Sequence, residues 1–444
     1  MTTAQEIPVE ERFGALLDHL GIERAHFVAS WRSTGLVSSL DSARPGSIAS
    51  LTLVEPQATA PGTLERHAEH LLVFAGTPRD PQSASEFETL ARSPSARVVD
   101  FPDGYSSLLW SDIAVDQGAL IESELTSLIQ AVEGNVATAA ISPELAHGSV
   151  RGITYQTSGE GVPVIMLPVG LAPSQWDPLL PGLSREFCVI TVGGRHIGAS
   201  AFQYRRMATK AYGQVVDTLF DHLRLEPGMS ILEVGVGTGA VAIRLAERTG
   251  RSNPVTGVDV NEYVVREAQQ IIDEDGLGGV IRVETGDAES LPFEDGFFDR
   301  VFSATVMAEV DAELMMAELV RVCKPGGRIG ALVGASDLPW VWGVDLPEAL
   351  AAKVNAPRPG GVAERGVADR GLYGLFVRAG LTDLDVLPVW GTDHPPDAMW
   401  PSGPGLSAEE AEAFRSALAE GAAEGTAFVR IPFHCAAGTK RHAL

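Results

Sequence analysis

The run Ile231-Leu-Glu-Val-Gly-Val-Gly-Thr-Gly239 constrains this chain more than any other stretch. It reads as a short buried strand that empties into three glycines spaced G-x-G-x-G. The apolar spacing of 240–248 then predicts a helix. Glycines between a strand and a helix let backbone amides approach a ligand at the helix N-terminus, where the dipole favours an anionic group. Such a loop also fixes the local architecture, because a strand-loop-helix step is the unit of a parallel, doubly wound sheet. Around it, Val255–Val260, Ile281–Thr285, Asp299–Ser303 and Gly327–Val333 read as further strands, and Glu262–Asp273 and Glu313–Val322 as helices. That makes five strand-helix steps, with two late strands at Asp383–Trp390 and Thr426–Ala436.

Acids at the ends of these strands narrow the ligand. Asp259 ends the second strand about 20 residues after the loop, where a carboxylate accepts both hydroxyls of a ribose. Gly286-Asp287-Ala288 follows the third strand, where an acid takes an adenine amino group. A dinucleotide dehydrogenase needs G-x-G-x-x-G, but here position 240 is Ala. Glu233, two residues before Gly235, would repel a pyrophosphate and suits the ammonium of an amino-acid moiety. A ligand wanting a ribose acid, an adenine acid and an ammonium partner is S-adenosylmethionine.

On these residues, together with "GDAESLPFEDGFFDRV" and "AELVRVCKPGGRIGAL", residues 230–335 resemble a class I S-adenosylmethionine-dependent methyltransferase of the ubiquinone/menaquinone-biosynthesis kind. The resemblance implies a Rossmann-like sheet and a cofactor contacted by Glu233, Gly235, Gly237, Thr238, Gly239, Asp259, Val260, Gly286, Asp287, Ala288 and Ser303. Gly235–Gly239 would cradle the methionine end, Asp259 the ribose and Asp287–Ala288 the adenine. Methyl transfer needs a base only when the acceptor must lose a proton. Candidates are Glu309, His394 and Tyr204, with Ser303, Thr305, Tyr212 and His434 nearby in the expected acceptor region. Trp340, Trp342 and Trp390 are candidates for an apolar lining.

The front of the chain resembles a disabled α/β-hydrolase in the wrong order. "LGIERAHFVASWRSTG", "IASLTLVEP" and "LLVFAGTPRDP" look like that fold's later half, with Asp80 where its catalytic acid would stand. "ITYQTSGEGVPVIMLPVGLAPSQWDPLLPGLSREFCVITVGG" looks like its first half. A circular permutation of one sheet restores the order, with the strands of Val28 and Ile190 as expected neighbours. A nucleophile elbow needs G-x-S-x-G. Here the run is Ala29-Ser-Trp-Arg-Ser33, Val169-Gly170 replaces the oxyanion His-Gly, and Pro102–Ser107 offers no histidine. Ser30 and Ser33 are therefore expected to be turn serines, and acyl transfer is excluded.

The expected organisation is a degenerate hydrolase-like domain over 1–197 (8–135 and 149–197 sharing one sheet), a connecting helical segment over 198–225, and the methyltransferase domain over 226–444. The first domain is expected to shape the acceptor side or a subunit interface. With 33 Lys+Arg against 58 Asp+Glu, the net charge of −25 disfavours nucleic acid. No apolar run reaches the ~20 residues of a membrane span, and Met1–Glu11 is no signal peptide. Three isolated cysteines fit a reducing cytoplasm and carry no metal-ligand spacing. The expected activity is methylation of a small, partly apolar acceptor, neutral or cationic, at carbon, oxygen or nitrogen. A homodimer is compatible with it. The rivals are a S-adenosylmethionine-binding enzyme of non-methylating chemistry, such as a cyclisation, and a non-catalytic binding protein.

Overall fold

The computed structural model describes residues 7–30, 33–54, 66–76, 96–101, 112–134, 146–168, 172–358, 362–396 and 405–442. The chain divides into two compact units, Met1–Phe202 and Gln203–Leu444.

The first unit is built on eight strands: β1 (Ala25–Ser30), β2 (Ile48–Val54), β3 (Leu71–Ala75), β4 (Arg97–Asp100), β5 (His147–Val150), β6 (Ile153–Ser158), β7 (Val162–Met166) and β8 (Phe187–Gly193). They form one sheet in the order β4-β3-β2-β1-β7-β8-β6-β5. All neighbours are parallel except β6, which runs antiparallel to both β8 and β5. Central strands β1, β2, β3 and β8 are buried at every position, as a parallel sheet covered on both faces requires. Alternate side chains feed two cores. Phe27, Leu51, Leu53, Val73, Ile165 and Ile190 pack on one face. Val28, Val54, Leu72, Phe74, Val164 and Met166 pack on the other, against Ile121, Leu125 and Ile129 of the helix Ile113–Glu133.

Residues 8–135 and 149–197 thus meet in one sheet, but through β7 rather than β8. Val28 stands opposite Met166, and Ile190 pairs with Ile165 one strand further on. The expected Val28–Ile190 neighbours are therefore separated by the strand between them, and among the described residues no strand from 8–135 pairs with β8. The sequence also showed two strands in 149–197 where there are three, with β5 (147–150) just ahead. The polar β5–β6 pair carries a weak apolar signal because it closes the sheet edge, where β5 alternates between exposed and half-buried.

The second unit carries β9 (Ile231–Val234), β10 (Val255–Asp259), β11 (Ile281–Thr285), β12 (Phe298–Ala304), β13 (Cys323–Gly334), β14 (Val341–Gly343), β15 (Thr382–Asp393) and β16 (Phe428–Thr439). Their order is β11-β10-β9-β12-β13-β16-β14, with β15 paired to β16. The first five are parallel, and β14, β15 and β16 pair antiparallel. The chain leaves β9 for β10 on one side and returns to β12 on the other. The crevice at the carboxyl ends of β9 and β12 is therefore the topological switch point, where ligands of such sheets bind. β11 and β12 are joined by a loop with an isolated bridge, not by a helix, so the third of the five expected strand-helix steps lacks its helix.

The segment 198–225 is more than a connector. Its helix Lys210–Leu223 buries Tyr212, Val215, Val216, Leu219, Phe220 and Leu223 in the second unit's core. Thr209 caps it by accepting from the Tyr212 amide. At the far edge the buried Arg328 guanidinium donates to the carbonyls of His222 and Asp383, to Thr439 Oγ1 and to Asp385, tying β13 to β15 and β16. Among the described residues no helix is long and apolar enough to cross a membrane.

Candidate functional site

Gly235, Gly237 and Gly239 all take positive φ, at 79°, 53° and 85°, a region that costs other residues about 1–2 kcal/mol. A Cβ on Gly235 would lie 2.1 Å from Val306 Cγ2, and one on Gly237 would lie 2.5 Å from Gln203 Oε1. The loop is thus shaped by backbone freedom and by close approach together. Gln203 holds it from outside: its Oε1 accepts from the Thr238 amide at 2.9 Å and from Thr238 Oγ1 at 3.0 Å. The sequence reading missed Gln203, because nothing in its neighbourhood marks a glutamine that folds back on a loop residue 35 positions later. Tyr204 Oη donates to the Thr238 carbonyl at 3.0 Å. In this structure its hydroxyl thus supports the glycine loop.

Glu233 is buried opposite Phe302 on one side and Gly257 on the other. Its Oε2 has no hydrogen-bond partner among the described residues. Burial pushes its carboxyl well above the usual range, and the charge of Asp259 adds to the effect. Asp259 caps β10, and its two oxygens accept from the amides of Gly237 (3.0 Å) and Asn261 (3.1 Å). Burial raises its pKa too, although these amides and that of Val260 pull the other way. Each oxygen retains lone-pair capacity for a further donor. Val260, the next residue, leaves its apolar side chain 69% exposed beside the crevice. Ser303, in register with Val234, buries an Oγ that has no partner.

Gly286, Asp287 and Ala288 follow β11. Asp287 is exposed and accepts from the Glu289 amide at 2.8 Å, while Ala288 is buried. A Cβ on Gly286 would lie 2.9 Å from Pro292 Cδ. Beyond β12, Thr305 takes a positive φ of 64° despite its branched side chain, and its Oγ1 accepts from Arg206 at 3.3 Å. Arg206 also lies over the Tyr212 ring, 4.2 Å from its centroid. Glu309 reaches solvent at this rim, yet desolvation and then the Asp259 charge raise its carboxyl above the usual range, with Arg206 opposing. Glu233 and Glu309 therefore both stand in the negative field of Asp259, a geometry that favours a cationic ligand.

The remaining candidates separate. His394 follows β15, and its Nδ1 lies 2.6 Å from the Ala427 carbonyl. His434 lies inside β16, within the late strand expected over Thr426–Ala436, and is buried, with Nε2 2.7 Å from Asp337 Oδ1 and Nδ1 2.6 Å from Tyr373 Oη. With its Nε2–H given to Asp337, Nδ1 accepts from the Tyr373 hydroxyl. Trp340 and Trp342 stack at 6.5 Å, while Trp390 stands apart on β15, 5.7 Å from the Arg430 guanidinium. Among the described residues no group of three or more His, Cys, Asp or Glu side chains is placed to hold a metal ion.

In the first unit, Ser30 and Ser33 both donate to the Pro168 carbonyl, at 2.8 and 3.1 Å, and both are buried. Trp31, Asp80, Pro102–Ser107 and Val169-Gly170 lie outside the described residues.

Comparison with known proteins bears on the second unit. Residues 231–327 match the family described as "Methyltransferase domain". Over 131 residues the chain is 35% identical to the sterol 24-C-methyltransferase ERG6B of Gibberella zeae, covering 29% of this chain and 34% of that protein. It is 38% identical over 108 residues to the ubiquinone/menaquinone biosynthesis C-methyltransferase UbiE of Bordetella avium, covering 24% and 41%. To the nocamycin O-methyltransferase of Saccharothrix syringae it is 34% identical over 166 residues, covering 36% and 57%. The chain spans less than two thirds of the length of each of these relatives.

Proposed function

We infer that this chain, whose residues 231–327 match the family described as "Methyltransferase domain", is a class I S-adenosylmethionine-dependent methyltransferase that methylates a small, partly apolar organic acceptor. The observation that carries the reading is Glu233, a buried carboxyl with an unpartnered oxygen beside Asp259. An isolated buried carboxylate is costly unless a cation pairs with it. An amino-acid ammonium at the glycine loop supplies that cation, and Asp259 has acceptor capacity left for ribose hydroxyls. Val260 offers an apolar face, and Asp287 an exposed carboxylate, to an adenine. Arg206, Thr305 and Glu309 line the rim on the acceptor side.

When bound, the cofactor supplies a methyl group already activated on a positively charged sulfur. The chain's own residues are left to hold the acceptor in line and exclude water. Glu309, with its raised carboxyl, is the group best poised to take a proton from an acceptor that must lose one. The relatives include carbon and oxygen methyltransferases by name, and carbon, oxygen or nitrogen all remain within the reading. The test is to follow acceptor consumption in a screen of quinones, phenols and polyketide-like compounds. Equimolar S-adenosylhomocysteine supports methyl transfer. Consumption without it supports a scaffold role for the cofactor, as in a cyclisation.

For the first unit the reading is a degenerate, circularly permuted α/β-hydrolase sheet. Taking β5–β8 before β1–β4, the spatial order becomes 1-2-4-3-5-6-7-8, with only the second strand reversed against its neighbours on both sides. Ser30 and Ser33 hold a backbone carbonyl and so make no nucleophile. The full chain is expected to show no p-nitrophenyl ester turnover above buffer. Turnover that disappears in Ser30→Ala or Ser33→Ala would overturn this. A cytoplasmic location belongs to the same reading, supported by three free, buried cysteines.

A further inference from the structure

Arg358 is the group in the second unit that the cofactor reading leaves unexplained. Its Nε, Nη1 and Nη2 are all buried, and among the described residues none has a hydrogen-bond partner. Nor does any carboxylate among the described residues act on it: burial brings its pKa down, to about 10, so it stays charged at neutral pH. The guanidinium lies flat over Trp340, 3.7 Å from the ring centroid. Trp340 stacks on Trp342, whose own Nε1–H is buried without an acceptor. Two orphan donors therefore belong to one aromatic stack.

Placement ties this stack to the crevice. β14, which carries Trp342, pairs with residues 428–430 of β16. Along β16 the pairing with β13 ends at Phe433 opposite Gly334, so 428–430 extend past the carboxyl end of β13. That is the end of the sheet at which the glycine loop follows β9. Trp340, Trp342, Tyr204 and Val236 of the glycine loop belong to one continuous apolar cluster. The Trp342 amide donates to Asn355 Oδ1 at 2.8 Å, which fixes the segment leading to Arg358.

We propose that Arg358 and Trp342 Nε1 form an anion subsite for the acceptor, which carries a carboxylate or phosphate on an apolar, ring-bearing body. This rests on the reading of the glycine loop as the cofactor site. A guanidinium presents a planar fork matched to two oxygens of either group, and the indole donor adds a third contact. A buried charge without a counter-ion is expensive, and an arriving anion removes that cost. Since no guanidinium nitrogen reaches solvent, the anion enters with a local shift of the covering side chains. This revises the neutral or cationic acceptor expected from the net charge. The global balance is acidic, but the field at this point comes from one unpaired cation.

The test titrates the full chain with benzoate, phenyl phosphate and benzamide as probes, read by tryptophan fluorescence and calorimetry. One anion, benzoate or phenyl phosphate, is expected to bind at least ~10-fold more tightly than benzamide, and which one it is names the group. In Arg358→Met that preference should vanish, while S-adenosylhomocysteine binds as in wild type and the Tm does not fall. Arg358→Lys keeps the charge without the fork and should retain part of the preference, so it stands in if the Met variant does not fold. Equal binding of benzamide and both anions, or anion binding unchanged in Arg358→Met, overturns the proposal. So does a lower Tm in Arg358→Met with the wild-type chain indifferent to probe charge, which marks a purely structural arginine. If wild type binds no S-adenosylhomocysteine yet prefers an anion, the cofactor reading fails and the anion subsite stands.

Discussion

Gly235→Ala is expected to cripple the second unit. The backbone there has φ 79°, and the added Cβ meets Val306 Cγ2 at 2.1 Å. The left-handed conformation costs about 1–2 kcal/mol, and overpacking against Val306 another ~1–3 kcal/mol. A loss of about 2–5 kcal/mol should lower the Tm by roughly 5–15 °C in a unit of this size. Calorimetric scanning checks that figure. Any folded fraction should methylate at least ~100-fold more slowly, because loop amides displaced by about 1 Å no longer seat the ligand. Wild-type Tm and activity in this variant would show that the loop is not under the constraint described.

Glu233→Gln should separate stability from binding. The Glu233 carboxyl is raised well above its ordinary value by burial and then by Asp259. The folded chain therefore holds a proton there that the unfolded chain releases at lower pH. Stability from this group is fully present below the unfolded pKa and falls as pH rises towards the folded one. Replacing it with a neutral isostere should flatten that slope and raise stability above neutral pH by about 1–3 kcal/mol. A bound ammonium favours the ionised carboxylate. Wild type should then release a proton when S-adenosylmethionine binds, seen as a calorimetric heat that depends on buffer ionisation enthalpy. The Gln variant should lose that dependence and bind roughly 10–150-fold more weakly. Equal affinity with equal proton release would remove Glu233 from the site.

What the sequence made legible follows signal strength. The apolar runs at 25–29, 48–54, 187–192 and 231–234 are strands because they are buried on both faces, and continuous burial leaves no ambiguity of face. The β5–β6 pair was harder to see because edge strands alternate with solvent and carry polar residues such as His147 and Gln156. Glu233, Asp259 and Asp287 were visible because spacing from a glycine loop fixes where strand ends fall. Gln203 and Arg358 were invisible for the opposite reason. Each acts through a tertiary approach, Gln203 to Thr238 and Arg358 to Trp340, that no local period encodes. His434 was offered as an acceptor-region candidate although it falls within the strand expected over Thr426–Ala436. Its two ring nitrogens are in fact satisfied inside the sheet by Asp337 and Tyr373.

The central claim is that S-adenosylmethionine binds at the glycine loop with Asp259 on its ribose. Calorimetric titration of the full chain, wild type beside Asp259→Ala, tests it most directly. Wild type should bind one equivalent. The variant, having lost hydrogen bonds to a charged group, should bind about 1.5–3 kcal/mol more weakly. Its unfolding transition should confirm that it is folded. Folded wild-type protein that binds neither S-adenosylmethionine nor S-adenosylhomocysteine, or a variant with unchanged affinity, would contradict the claim.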